Sequence, residues 1–355
     1  MMPADWSASV VTPRSWRLHS RLVSGTPQAD RTLVNNEQPL FPLRASSRVF
    51  VAGGSGLVGS AVVRELKRRG IQHVDAPSSK ALNLLERQSV FRYFQKSSPD
   101  LIIDAAAKVG GIHANDSYPA EFLSQNLQIQ VNIMDAAAEA EVQRLVFLGS
   151  SCIYPKLADQ PMRETALLTG ELEPTNSAYA VAKIAGIEQV RAHRKQYGRH
   201  WISAMPTNIY GPGDNFHPDN SHVVPGLLRR IHEAQERKDP EVVIWGTGSP
   251  LREFLFAEDL AQALLFLAEE YDSDDIINVG SGDEVSIHEL ATTIARVVGF
   301  DGALRFDSSK PDGTPRKLLD SSRLASMGWA PKTSLSDGLT ATYKWFLEHE
   351  DSYRG

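Results

Sequence analysis

The sequence predicts an α/β protein, a doubly wound parallel sheet followed by a smaller C-terminal lobe. Three observations carry this reading. Short apolar runs alternate with segments whose apolar residues have helical spacing. A glycine-rich loop joins the first run to the first such segment. At least one later run is apolar on both faces, as a strand covered on both sides requires. Strands alternating with helices at this spacing imply a parallel sheet with helices on both faces.

The elements follow in order. Arg48–Ala52 is a short apolar run, and a glycine loop at 53–59 follows at once. Residues 60–69 carry Val62, Val63 and Leu66 at helical spacing, and Gly70 stops them. A second strand is expected near 72–76 and a helix over about 87–96. The run at 101–107 reads as a buried strand. Pro119–Glu139 reads as a long helix, Arg144–Leu148 as the next strand, and 177–196 as another long helix. Later strands are expected at 242–245 and 275–279. After about residue 206 the alternation becomes irregular, with Pro and Gly clusters at 206–226 and 311–315. The expected division is a dinucleotide-binding domain at 47–205 and a looser substrate lobe at 206–355, some of whose elements return to the first sheet. A cleft between two lobes is the default place for a ligand.

Composition narrows the partners. The chain has 355 residues, enough for one large domain or two modest ones. Its net charge is -6, whereas a grip on nucleic-acid phosphates needs a basic surplus, so no nucleic-acid partner is expected. An anionic small molecule stays open, because a local basic pocket does not need a basic protein. The single cysteine, Cys152, excludes an intrachain disulfide and points to a reducing, cytoplasmic setting. The longest apolar stretch, around 260–268, is too short to span a bilayer and has acidic neighbours, so no membrane partner is expected. Residues 1–46 hold five arginines, no lysine and no apolar signal core. They faintly resemble a transit peptide, but read better as a disordered extension or the product of an early start.

The loop reads Gly53-Gly54-Ser55-Gly56-Leu57-Val58-Gly59. In a GxxGxxG pattern the first glycine permits a tight turn. The second lets the backbone approach a pyrophosphate, and the third allows close packing of helix on strand. The helix start then offers free N–H groups and a positive dipole end. A glycine triplet alone is a weak signal, but this one follows a strand and opens a helix. All seven residues are therefore assigned to a cofactor, in a Rossmann-type site. An acid about 20 positions past the loop would favour NAD, and Asp75 is near that distance but inside the expected strand. The strand runs out into Ser78, Ser79 and Lys80, which offer two hydroxyls and an ammonium to a 2′-phosphate. The cofactor expected is NADP(H), although a plain polar loop would look the same.

Tyr179 and Lys183 lie one helical turn apart on one face. A nearby cation favours a phenolate, which brings tyrosine's ordinary value of about 10 toward neutrality and suits it to exchange a proton with a carbonyl. Ser150 and Ser151 follow the strand that ends at Leu148, at the carboxyl end where such sheets place ligands. A Tyr–Lys pair by itself is more often a solvated helix pair. The glycine loop and the strand-end serines turn the reading toward catalysis.

With these residues in place, the sequence resembles the extended short-chain dehydrogenase/reductases. The segments 105–112, 149–155, 173–176, 205–212, 214–217, 220–222 and 310–317 narrow the match to the GDP-L-fucose synthase family. The resemblance runs from about residue 47 to the C-terminus. It implies 3,5-epimerisation of GDP-4-keto-6-deoxy-D-mannose and then NADPH-dependent reduction of the 4-keto group. It implies Cys152 as base and His222 as acid in epimerisation, and Tyr179 as proton donor to the reduced oxygen. Lys183 would tune Tyr179 and hold the nicotinamide ribose, and Ser150 would orient the C4 oxygen. Leu148, Gly149, Pro206, Asn208 and His222 would complete the cofactor site. Arg230, Trp245, Arg252 and Asp312 would contact the substrate, the arginines through a donor fork suited to diphosphate. A homodimer joined through the two long helices is also implied. Some bacterial members carry arginines where this chain has Ser55 and Ser79, which bears on the 2′-phosphate contacts and not on the reaction.

Outside that context, a lone cysteine after a strand is usually a small core residue, and a histidine in a Pro/Asn-rich loop is usually surface. Two other functions fit the same fold. An NAD-retaining nucleotide-sugar epimerase or 4,6-dehydratase would recycle its cofactor, and a dehydratase should show an acid pair where this chain has Ser150–Ile153. A non-catalytic NADP-binding protein could dispense with Tyr179 or Lys183, and both are present.

Overall fold

A computed structural model describes residues 39–218, 220–310 and 312–349. In chain order its strands and helices are β1 (Arg48–Ala52), α1 (Leu57–Arg68), β2 (His73–Asp75), α2 (Arg87–Ser97), β3 (Leu101–Asp104), α3 (Ile112–Ser117), α4 (Pro119–Glu139) and β4 (Arg144–Leu148). Then come α5 (Ser177–Tyr197), β5 (His200–Pro206), β6 (Asn208–Tyr210), α6 (Val223–Arg237), β7 (Glu241–Trp245), β8 (Leu251–Phe256) and α7 (Ala257–Glu270). The remainder are β9 (Ile277–Val279), β10 (Glu284–Ser286), α8 (Ile287–Val298), β11 (Ala303–Asp307), β12 (Arg316–Lys317), α9 (Ser322–Ser326) and α10 (Leu335–Glu348).

Six strands form one parallel sheet in the order β2-β1-β3-β4-β5-β9. The alternation of side chains along each strand divides them between two cores. Val49, Val51, Leu101, Ile103, Val146 and Leu148 face α1 and α7. Phe50, Ile102, Leu145, Phe147 and Trp201 face α2, α4 and α5. Each fully buried aliphatic or aromatic side chain contributes about 1.5–3 kcal/mol, so both helical layers are held firmly. The strand order reverses direction at β1 and β3, and ligands bind outside the carboxyl ends of strands at such a point.

The helices end where their sequence says they must. Gly70 takes φ +79° just past α1, and Gly198 takes φ +65° at the end of α5. Pro119 opens α4 at its first position, where its missing N–H costs nothing. Ser286 and Glu289 cap α8 reciprocally.

Several expectations shift. The first helix begins at Leu57, directly on the glycine loop, and the strand expected over 101–107 ends at Asp104. The second lobe is richer in regular elements than its sequence pattern indicated. It holds a third core, in which Leu228, Ile231, Val242, Ile244, Leu290, Ile294 and Phe346 meet. Its strands are short and pair across long stretches of chain, so no local period marks them: β8 pairs with β6, β10 and β12, and β7 with β11. Of the extension expected over 1–46, residues 1–38 lie outside the described residues. Residues 39–46 pack onto the sheet domain, a correction to that expectation. Phe41 N–H donates to the Glu269 carbonyl at 3.1 Å, and the Arg144 guanidinium lies 4.4 Å from the Phe41 ring centre. The described residues belong to one compact unit.

Candidate active site

The glycine loop is shaped by close backbone approach. Gly53 takes φ +75°, and a Cβ there would lie 2.8 Å from the Ala105 carbonyl oxygen beyond β3. A Cβ on Gly59 would strike the Gly53 carbonyl, so only glycine lets α1 start this close to β1. Gly54 backs onto Ala76 just past β2. Gly56 is the N-cap of α1, with no side-chain cap and no acidic residue in the first turn. Leu57 and Val58 turn inward against the core, and Ser55 is exposed. The helix start is thus left to offer its N–H groups to an anion.

Asp75 is the last residue of β2, not an interior one, and it accepts a hydrogen bond from the Tyr93 hydroxyl at 2.8 Å. Burial and this carboxylate push the Tyr93 phenol up to about 12. One of the two oxygens of the acid that would select a free ribose 2′-OH is therefore engaged. Ser78, Ser79 and Lys80 are exposed in the loop that leaves β2. Three donors beside a committed carboxylate fit a 2′-phosphate better than a bare hydroxyl.

At the end of β4 the chain turns at Ser150, whose hydroxyl accepts from Cys152 N–H at 3.2 Å and caps a 3-10 turn over Ser151–Ile153. Gly149 fits against Met205 there. Tyr179 and Lys183 approach from α5. The Ser150 side chain acts on the Tyr179 phenol, and the Tyr179 ring meets Phe122 edge-on at 6.4 Å. Lys183 is buried, donates to the Leu148 carbonyl at 2.7 Å, and stands 6.0 Å from the centre of the Tyr179 ring. Burial pushes Lys183 down to about 8, against an opposing pull from Asp104.

The sequence predicts a Tyr179 drawn toward the phenolate by Lys183. The structure corrects this: burial and then Cys152 raise the phenol above its ordinary value, and only Ser150 opposes them. Tyr179 consequently carries its proton at neutral pH, the state required of a donor.

Cys152 is held by two residues that the sequence reading does not assign to it. Asn176 Nδ2 lies 3.4 Å from Cys152 Sγ, and Lys317 Nζ lies 3.6 Å away. Asn176 is the N-cap of α5, where an Asn side chain ordinarily accepts from the helix. Here it makes no cap and is turned to the sulfur instead.

His222 is the N-cap of α6 and makes no hydrogen bond to Cys152 or Tyr179 among the described residues. It is exposed to solvent, yet surrounding protein removes enough water to lower its pKa. The loop before it seats on Gly111, whose N–H donates to the Asn220 carbonyl at 3.4 Å. Helix α3, next along the chain, packs on the Pro174–Asn176 turn that carries Asn176. His222 and Cys152 are thus connected through one layer of structure. Pro206 is buried at the end of β5, and the Asn208 amide donates to the Glu253 carbonyl at 2.8 Å. Asn208 therefore ties β6 to β8 through its side chain.

The four expected substrate residues gather in the second lobe. Trp245 ends β7 and is 68% exposed, and Lys310 Nζ lies 5.6 Å from its ring centre. Asp312 accepts from Thr247 N–H at 2.6 Å and from the Thr247 hydroxyl at 2.9 Å, which ties it to the turn just past Trp245. Arg230 donates to the Val243 carbonyl at 3.3 Å, and Arg252 interacts electrostatically with Asp312. Arg252 is also the register partner of Lys317 across β8 and β12. One strand pair therefore joins this basic, aromatic patch to the sulfur of Cys152. Lys310, an ammonium the sequence reading left unassigned, belongs to the patch.

The NAD dependent epimerase/dehydratase family matches residues 49–280. The chain is 57% identical over 304 residues to GDP-L-fucose synthase 1 of Arabidopsis thaliana, covering 86% of this chain and 94% of that protein. It is 53% identical over 320 residues to GDP-L-fucose synthase of Escherichia coli strain K12, covering 88% of this chain and all of that protein. A crystal structure of a GDP-L-fucose synthetase from Naegleria fowleri bound to NADP superposes with a TM-score of 0.82 at 29% identity, covering 90% of this chain and 99% of that one.

Proposed function

The chain belongs to the NAD dependent epimerase/dehydratase family, and from that premise we propose that it converts GDP-4-keto-6-deoxy-D-mannose to GDP-L-fucose. The reaction is 3,5-epimerisation followed by NADPH-dependent reduction of the 4-keto group. The observation that carries this reading is the setting of Cys152. A thiol held by an ammonium and an amide, beside a Ser–Tyr–Lys set, supports an epimerisation base working next to the reducing residues. A cofactor-recycling dehydratase has no use for that thiol, and residues Ser150–Ile153 offer no carboxylate.

Epimerisation next to a ketone needs a base on one face of the ring and an acid on the other. The 4-keto group acidifies the C3 and C5 protons. Cys152 removes the proton, and Lys317 supplies positive charge to the sulfur. His222, from the loop across the cleft, delivers a proton to the opposite face. Bound NADPH supplies the hydride that reduces C4. Tyr179 protonates the oxygen at C4, Ser150 holds that oxygen in place, and Lys183 organises Tyr179 from beneath. Gly53–Gly59 and the start of α1 hold the cofactor's pyrophosphate, with Ser78, Ser79 and Lys80 on its 2′-phosphate. Arg230, Arg252 and Lys310 grip the diphosphate of the substrate, and Trp245 packs on its base or sugar.

The enzyme works as a homodimer in the cytoplasm. Support for the dimer comes from α5, where Val181 is 46% exposed, and from the partly open Leu123, Leu127 and Val131 on one face of α4. Sedimentation at micromolar concentration tests it. Among the described residues no helix is long and apolar enough to cross a membrane.

The function is tested by following absorbance in the NADPH band with GDP-4-keto-6-deoxy-D-mannose, with NADH run beside it. Stoichiometric oxidation of NADPH is expected. Conversion of the sugar without net oxidation would replace this reading with a cofactor-recycling epimerase.

A further inference from the structure

Asp104 is a buried acid that the reaction above does not use. It ends β3 at the carboxyl edge of the sheet and is 1% exposed. Its Oδ1 accepts a long bond from Ala106 N–H at 3.4 Å, and its Oδ2 has no hydrogen-bond partner. An unsatisfied carboxylate oxygen in the interior is costly. A leucine or alanine would avoid that cost at the end of an otherwise apolar strand.

The register shows what faces it. Asp104 is paired with Phe147 on β4, and register partners in a parallel pair point to the same face of the sheet. Lys183 Nζ lies 4.8 Å from the Phe147 ring centre and bonds the carbonyl of the next residue, Leu148. The ammonium and the carboxylate thus both stand beside Phe147 on one face of the sheet. Among the described residues, Lys183 is the charged group that acts on Asp104, and Asp104 the one that acts on Lys183. Gln130 donates to the Ala182 carbonyl next to Lys183, and Tyr179 lies one turn away on the same helix; neither carries a charge at neutral pH.

We propose that Asp104 is a positioning residue for the reduction, a sealed counter-charge that keeps Lys183 an ammonium while Lys183 holds Tyr179 and the cofactor in register. The proposal rests on the reductase reading. Without a partner charge, a buried lysine sheds its proton more readily, and the neutral amine has one N–H fewer to divide between Leu148 and a cofactor hydroxyl. Burial raises the Asp104 carboxyl to about 6 against the pull of Lys183, and lowers Lys183 to about 8. Both groups are therefore charged between those values, which is the interval in which the pair can work.

The test compares wild type with Asp104→Asn, Asp104→Leu and Asp104→Glu. The first readout is the dissociation constant of NADPH against pH, taken from NADPH fluorescence with no sugar present. The second is the pH profile of NADPH oxidation with the GDP-sugar. In wild type both should weaken as pH rises through about 8. In Asp104→Asn and Asp104→Leu that midpoint should fall by about one pH unit, with Asp104→Glu restoring much of it. A merely structural role would lower amplitude or melting temperature and leave the midpoint in place. Midpoints that coincide with wild type in folded Asn and Leu variants overturn the proposal. A wild-type protein that binds NADPH but never oxidises it with the sugar overturns the reductase reading instead, and the binding profile still decides the role of Asp104.

Discussion

The Lys317 ammonium lies 3.6 Å from the Cys152 sulfur, across 165 residues of sequence. The contact exists because β12 pairs with β8 and sets Lys317 opposite Arg252. In the proposed epimerisation this contact sets an ammonium beside the atom that takes the proton.

Replacing Lys317 with Met should therefore slow epimerisation more than reduction. The expected loss is roughly 10- to 100-fold, below the ~10⁴-fold that a general base can contribute. Exchange of C3 and C5 protons with deuterated solvent, measured without NADPH, checks it. Equal loss in both steps would mean that Lys317 serves substrate binding alone.

Lys80 is exposed beyond β2 while Asp75 is engaged by Tyr93. Lys80→Ala should raise KM for NADPH about 10-fold, the value of one charge-assisted hydrogen bond, and leave KM for NADH nearly unchanged. Steady-state kinetics with the two cofactors measures the ratio.

At Gly59 a methyl group would strike the Gly53 carbonyl. Gly59→Ala should cost about 1–3 kcal/mol through forced separation of α1 from β1, and cofactor affinity should fall with it. Thermal unfolding and NADPH fluorescence measure the two effects.

His222 has a pKa lowered from its ordinary value of 6.5 by the protein around it. At neutral pH it is mostly uncharged, and its proton-donating form grows as pH falls. Deuterium incorporation at the position it serves should rise between about pH 8 and about pH 6, and His222→Gln should lack that trend. Stability moves the other way. Below 6.5 the unfolded chain binds more protons at this residue than the folded one, so wild type loses stability on acidification. His222→Gln should lose less over the same interval, as melting temperatures would show.

What was legible in the sequence was local. The glycine loop, the Tyr179–Lys183 spacing and the strand-end Ser150 and Cys152 each sit within one turn or one strand, and the backbone carries them to the sheet's carboxyl edge with little freedom. What stayed hidden depends on distant pairing. Lys317 and Lys310 lie in a loop and a two-residue strand whose position is set by β8 and Trp245, not by their own period. Asn176 reads as an ordinary helix cap until its amide is seen at the sulfur. Asp104 reads as an interior residue of the run at 101–107, and its charge partner arrives from α5. β5, which ends in Pro206, gives no alternation to mark it, because it is buried on both faces.

The central claim is that one pocket performs both epimerisation and reduction, and the isotopic make-up of the product tests it most directly. The protein, NADPH and GDP-4-keto-6-deoxy-D-mannose are combined in deuterated water, and the GDP-sugar formed is examined by NMR. The account predicts GDP-L-fucose with deuterium at C3 and C5, where protons pass through Cys152 and His222, and protium at C4, delivered as hydride. A reduced sugar that keeps protium and the original configuration at C3 and C5 would contradict it, because the thiol would then have no part in the reaction.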